Sequence, residues 1–220
     1  MDSRIVQSKL ELLHGVVATP IAAIEAWEAR TADHVGPGEY QELGDWAALP
    51  LPADWPGLTT VFLRARFEPR PVPAGTTLCL EIDHHDLEAL LSVEGRPYAG
   101  IDDHHRRVPA PSTPAILEIE AVAAPSVRWE PRDAGNRGSF RGARLVALDE
   151  AAERAWLELD YARQTLDVLP PGRRRSRLER ALEDALLKTD TTREQEEQRR
   201  QLHAAAVAGS RSRRPVTCGT

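Results

Sequence analysis

The feature that most constrains this chain is a change of hydrophobic period, from helical to two and back to helical, within 220 residues. Between Thr59 and Leu148 apolar and polar residues alternate. Val61, Leu63, Ala65 and Phe67 alternate with Phe62, Arg64 and Arg66, and Leu78, Leu80 and Ile82 with Thr77, Cys79 and Glu81. Ala89, Leu91 and Val93 precede a turn at Glu94-Gly95, and Ala115, Leu117, Ile119 and Ala121 alternate with Ile116, Glu118 and Glu120. A last run over 139–147 carries Ala143, Leu145 and Ala147. Successive side chains of a strand point to opposite faces, so such runs bury one face and wet the other. Several short runs of this kind, punctuated by Pro71, Pro73, Pro109, Pro111 and Pro114, predict an antiparallel β-sandwich over 59–148.

The flanks read differently. Over 3–29 the spacing of Ile5, Val6, Leu10 and Leu13, continued after Pro20 by Ile21, Ile24 and Trp27, predicts helix. The stretch 31–58, rich in Gly and Pro and holding Trp46 and Trp55, predicts an ordered but irregular connector, so 1–58 forms an N-terminal segment. After Leu148, Ala152, Ala155, Trp156, Leu159, Ala162, Leu166 and Leu169 make one apolar stripe, stopped at Pro170-Pro171-Gly172. Ser176 with Glu179 and Thr192 with Gln195 are capping-box patterns opening two more helices, the last ending near Gly209. Short links between them predict an antiparallel helical segment over 149–210, followed by a tail over 211–220.

Composition narrows the class. Two cysteines, Cys79 and Cys218, cannot build a disulfide-dense secreted scaffold or a four-cysteine zinc module. No apolar run approaches the ~20 residues of a membrane span. The first residues are broken by Asp2, Arg4, Gln7, Lys9 and Glu11, unlike a signal peptide, so a soluble, cytoplasmic protein with no membrane partner is expected. Residues 171–220 hold 12 basic and 7 acidic side chains, and the first 170 hold 16 and 27. The basic charges of the tail alternate with acidic ones on helical faces, which is the pattern of a solvated face, so no nucleic-acid partner is expected. Lysine occurs only at Lys9 and Lys188, an arginine preference that reads as codon bias of a GC-rich genome.

The densest polar cluster is His84, His85 and Asp86 with Asp102, Asp103, His104 and His105. Imidazoles and carboxylates from two loops are what a divalent metal takes, but adjacent histidines on a strand diverge, and such residues also cap turns through their side chains. Among 34 acidic residues, carboxylate pairs for glycoside hydrolysis arise by coincidence. No GxSxG, P-loop or GxGxxG pattern occurs. Cys79 reads as a packing residue rather than a nucleophile. Trp46, Trp55 and Tyr98 are candidates to stack on a sugar ring; tryptophans in a Pro-rich connector equally serve to pin it to a sheet. Trp129 and Trp156 read as structural.

Residues 59–108 resemble the N-terminal region of class II α-mannosidases, glycoside hydrolase family 38. There a strand of the WFR-x-x-F-x-x-P kind leads into a run of the form EaLvyvdGkpyaGiD-x-x-H-r-x-v. Phe62, Arg64, Phe67 and Pro73 match the first part. Glu88, Ala89, Leu90, Gly95, Pro97, Tyr98, Gly100, Ile101, Asp102, His105 and Val108 match the second. Trp46, Trp55-Pro56-Gly57 and the helices after residue 148 also fit, so the resemblance spans essentially the whole chain. It implies a mixed, mainly β fold: an antiparallel sandwich, jelly-roll or galactose-binding-like, between an N-terminal helical segment and a helical bridge.

In that family the helices lead into a catalytic domain opening with a GH-x-HID-type zinc motif. This chain reaches Pro215 to Thr220 where that strand is due. The resemblance therefore implies the non-catalytic N-terminal portion of a truncated or split α-mannosidase, inactive alone. It implies no catalytic residue, no metal ligand and no cofactor in this chain, with zinc belonging to the full-length family. The implied partner is the α-mannosidase catalytic domain. Two alternatives stand beside it: a free-standing carbohydrate-binding sandwich, and a protein-interaction module docking through its helices over 149–208.

Overall fold

The structure, a computed structural model, describes residues 3–36, 38–42, 44–56, 59–123 and 137–188. The described residues divide into two compact units: those within 20–147, and those of 3–19 with 148–188. The first unit is the sandwich. It thus begins about forty residues earlier than the alternation at Thr59 predicts.

The reason lies at Pro20. Helix α1 (Ser3–Val17) stops there, and strands β1 (Ala18–Ile24) and β2 (Trp27–Gly36) follow. Proline lacks the donor a helix interior needs and drives the residue before it to extended backbone. Ile21, Ile24 and Trp27 mimic a helical stripe because Glu25-Ala26 separates two strands between them. The connector over 31–58 is likewise not irregular. It holds the rest of β2, then β3 (Glu39–Glu42), β4 (Ala47–Ala48) and β5 (Ala53–Pro56), strands too short to show a period.

The remaining strands are β6 (Thr60–Phe67), β7 (Thr77–His85), β8 (Leu87–Val93), β9 (Arg96–Ile101), β10 (Arg107–Pro109), β11 (Ala115–Ala123) and β12 (Arg137–Leu148). They form two mostly antiparallel sheets. One runs β1-β12-β7-β10 with β5 also on β12; the other runs β3-β2-β6-β11-β8-β9 with β4 also on β2. Glu94 (φ 50°) and Gly95 (φ 71°) make the two-residue turn of the β8–β9 hairpin, the left-handed pair that matches strand twist.

The two inner faces supply the core. Leu63, Phe67, Leu91, Leu117 and Ile119 come from the larger sheet, and Leu80, Ile82, Phe140 and Leu145 from the smaller. Trp27 meets Phe140 edge-on at 4.8 Å, and its indole donates to the Ile24 carbonyl at 2.9 Å. The alternation read from 61–67 and 115–121 holds residue for residue, with Val61, Leu63, Ala65 and Phe67 buried. In the smaller sheet Glu81 of β7 receives Arg107 from β10 at 2.8 Å and Arg144 from β12 at 2.7 Å. Burial alone would raise the Glu81 carboxyl, but the two guanidiniums more than reverse this and hold it below the ordinary value.

In the other unit, α1 is joined by α2 (Glu150–Val168) and α3 (Arg173–Lys188). Val6, Leu10, Leu182 and Leu186 form its core, with Trp156, Leu159, Ala162 and Leu166 packed against them. Ile5 and Ala155, counted in the sequence stripes, are exposed. Asp149 caps α2 by accepting from the amides of Ala151 and Ala152 at 3.0 and 2.9 Å. Arg175 donates to the terminal carbonyls Leu166 and Leu169 of α2. Helix α3 starts at Arg173, one turn before the expected cap, so Ser176 lies inside it and Glu179 pairs with Arg175 at 2.9 Å. The helix expected from Thr192 onward falls, with Trp129, Cys218 and the 211–220 tail, outside the described residues.

Candidate functional site

The histidine–aspartate cluster falls at the end of β7 and in the turn from β9 to β10. His84 points inward with 1% exposure, and its Nε2 lies 3.2 Å from the Asp102 carbonyl oxygen. A carbonyl only accepts, so Nε2 carries the proton and Nδ1 is left bare, 3.9 Å from Asp103 Oδ1. Burial, aided by the Arg106 charge, holds His84 below its ordinary value and keeps it neutral. His85 points the opposite way and sits 3.3 Å from Asp86 Oδ2.

Asp102 is spent on its own turn. Its Oδ1 accepts from the backbone amides of His104 and His105 at 2.7 and 2.8 Å and from His105 Nδ1 at 2.9 Å. The His105 bond first, then the two amides, hold its carboxyl down to about 2. Arg106 takes Asp103 at 2.6 Å. Among the described residues no group of three His, Cys, Asp or Glu side chains is placed to hold a metal ion. Of the two uses weighed for these residues, metal binding and turn capping, Asp102 and His105 are seen in the second, and His84 pins their turn to β7.

The three aromatics do not form one platform. Trp55 is a core residue at 6% exposure, in the same cluster of buried residues as Trp27 and Phe140. Tyr98, on edge strand β9, is 43% exposed and donates its hydroxyl to the Pro109 carbonyl at 3.0 Å. Trp46 precedes β4 at the other side of the same sheet, where its ring lies 4.7 Å from the Arg30 guanidinium and 4.2 Å from that of Arg64. Three intervening strands separate β2, which carries β4, from β9.

What the sequence did not single out is the outer face of the larger sheet. Glu28 of β2, Arg64 of β6, Glu118 of β11 and Ser92 of β8 stand opposite one another in register across four adjacent strands. Adjacent strands are about 4.8 Å apart, so this polar row is about 14 Å long. Arg64 donates to Glu28 at 2.6 Å. The next row has Arg30 opposite Phe62 and Phe62 opposite Glu120, with Tyr40 of β3 stacked edge-on to Phe62 at 5.2 Å. Tyr40 donates to Glu120, and that bond, then burial and the Glu120 charge, push its hydroxyl up to about 12. Arg64, Glu118 and Arg66 were legible singly as outward alternates, but their convergence depends on pairing between strands far apart in the chain.

At one end of this face lies an open groove of about 620 Å³. Glu25, Glu28, Arg64, Arg66 and Glu118 line it, with Leu49 and Ile116 supplying apolar wall. Among the described residues Arg66 and Glu118 have no ion-pair partner.

No helix among the described residues is long and apolar enough to cross a membrane. No protein-family model matches the chain, and no curated protein matches it. Among the solved structures similar to it is that of CBM51-2 in complex with GlcNAc and INT domains from Clostridium perfringens ZmpB. That similarity has 12% identity and a TM-score of 0.22, and it covers 85% of this chain but 45% of the other, so the chain spans under half the length of that structure.

Proposed function

We propose that this chain is the non-catalytic N-terminal portion of a glycoside hydrolase family 38 α-mannosidase of the cytoplasm, a sandwich and a set of helices that brace a zinc-dependent catalytic domain. The observation that carries the reading is how the motif from Glu88 to Val108 is used. Gly95 supplies the hairpin turn, Asp102 and His105 close the next turn on each other, and Ile101 and Val108 are buried. Tyr98 ties the hairpin to the Pro109 carbonyl. These matched positions hold backbone or core, which is the role of a supporting domain rather than of a reacting centre. On this reading the catalytic domain meets the exposed apolar residues of α2, Leu157, Tyr161 and Val168, which recur on one face of the helix.

Two measurements test this. The purified chain, assayed with an aryl α-mannoside and added zinc or cobalt, is expected to show no hydrolysis, and metal-dependent turnover overturns the reading. The coding sequence beyond the Thr220 codon is expected to hold a GH-x-HID-type motif, in phase or one base out; its absence from every frame overturns the mannosidase assignment.

A further inference from the structure

We infer that the groove on the outer face of the larger sheet binds a neutral oligosaccharide lying across the strands. The inference rests on the groove's own chemistry and not on the mannosidase reading. Its volume of about 620 Å³ falls in the range of small-molecule sites. Its polar residues, Glu25, Glu28, Glu118, Arg64 and Arg66, balance to within one charge. Such a lining neither concentrates phosphate nor draws a polycation, so nucleic acid and basic peptides gain little there. It does offer carboxylate acceptors and guanidinium donors side by side, which is what vicinal hydroxyls, each both donor and acceptor, pair with.

The spacing agrees. Within the groove Glu28, Arg64 and Glu118 repeat at the interstrand distance over about 10 Å, the scale of two sugar rings rather than of one. Trp46 stands beside them with the Arg30 and Arg64 guanidiniums over its ring, at 4.7 and 4.2 Å, and so helps to fix Arg64 in place. The side chains are mounted on paired strands, and Arg64 is already fixed by Glu28 at 2.6 Å, which lowers the ordering cost of binding. Glu118 and Arg66, unpaired among the described residues, are the groups left to take the ligand.

The test is titration of the whole chain with α-mannobiose, cellobiose and maltose in separate arms, followed by calorimetry and by the shifts of backbone amide resonances. Saturable binding of at least one disaccharide in the millimolar range is expected, with shifts at Glu28, Arg64 and Glu118. Glu118→Ala and Arg66→Ala are each expected to weaken it about tenfold, and Tyr98→Ala, at the opposite edge, to leave it unchanged. Circular dichroism of each variant confirms that it is folded. Absence of saturable binding in all three arms overturns the inference, as does binding that survives both groove substitutions or is lost in Tyr98→Ala. Binding of cellobiose or maltose but not of mannobiose keeps the groove and counts against the mannosidase reading. Failure of all three sugars removes the groove and leaves that reading untouched.

Discussion

Replacing Glu81 by Gln removes one negative charge from the middle of the smaller sheet while keeping the side chain's shape. Glu81 accepts from Arg107 through both Nη2 and Nε, at 2.8 and 3.2 Å, and from Arg144 Nε at 2.7 Å. Three strands, β10, β7 and β12, are therefore tied through one carboxylate. Hydrogen bonds to a charged group contribute ~1.5–3 kcal/mol each, and breaking a fully buried pair costs ~3–5 kcal/mol. Arg144 is 53% exposed and recovers water, whereas Arg107 is 22% exposed and Glu81 16%. Solvent screening thus cancels most of the Arg144 share, and Gln retains one acceptor, which leaves an expected cost of about 1.5 kcal/mol.

Urea unfolding followed by tryptophan fluorescence reads this directly, because Trp27 and Trp55 lie in the sandwich core. With a slope of about 2 kcal/mol/M the midpoint falls by about 0.7 M. In a double-mutant cycle Glu81 couples more strongly to Arg107 than to Arg144. The carboxyl is held below 4.5, so its contribution is present above that pH and is lost as pH falls through the folded value. Wild type and Glu81→Gln are expected to converge in acid. An unchanged midpoint at neutral pH, or a difference that persists undiminished in acid, refutes the reasoning.

Tyr40 ionises near pH 12, so the stability it adds below pH 10 fades as pH rises through that value. Alkaline difference spectroscopy should show a late tyrosine step that Tyr40→Phe abolishes and Glu120→Gln moves down. Neutral His84 adds stability above its ordinary 6.5 that declines as pH falls below it, because the unfolded chain takes the proton first. Thermal midpoints of His84→Gln should therefore vary less than those of wild type between pH 7 and 5, and parallel profiles count against this. A Cβ at Gly138 would meet Leu87 Cδ2 at 2.2 Å and the Ala123 Cα at 3.2 Å, whereas one at Gly15 in α1 meets nothing within 4 Å. Gly138→Ala is expected to cost about 1–2 kcal/mol in urea titrations and Gly15→Ala to add about 0.5 kcal/mol, so equal effects would refute the packing account.

The sandwich was legible where alternation runs for seven residues or more, as from Val61 to Phe67 and from Ala115 to Ala121, because period-two patterning is a local property. It was not legible in β3, β4 and β5, whose two to four residues hold no period, nor in β1, where Ile21 and Ile24 imitate a helical stripe. The stop after α2 was written in Pro170-Pro171-Gly172, while the start of α3 was misplaced because the Ser176-to-Glu179 spacing also occurs inside a helix. His84 and His85 diverge as neighbours on a strand must, but only the conformation of the turn from β9 to β10 shows that Asp102 is already occupied by His105.

By itself the sequence determined which residues face in and which face out along the long strands, and the positions of several turns and helix ends. Those follow from steric and solvation preferences of neighbouring residues. The tertiary structure alone decided that Glu28, Arg64 and Glu118 share one row, that Glu81 joins three strands, and that Trp55 is core while Trp46 stands on arginine. Each of these depends on strand pairing across tens of residues, and register between distant strands is set by the packing of the whole core rather than by any short stretch of chain.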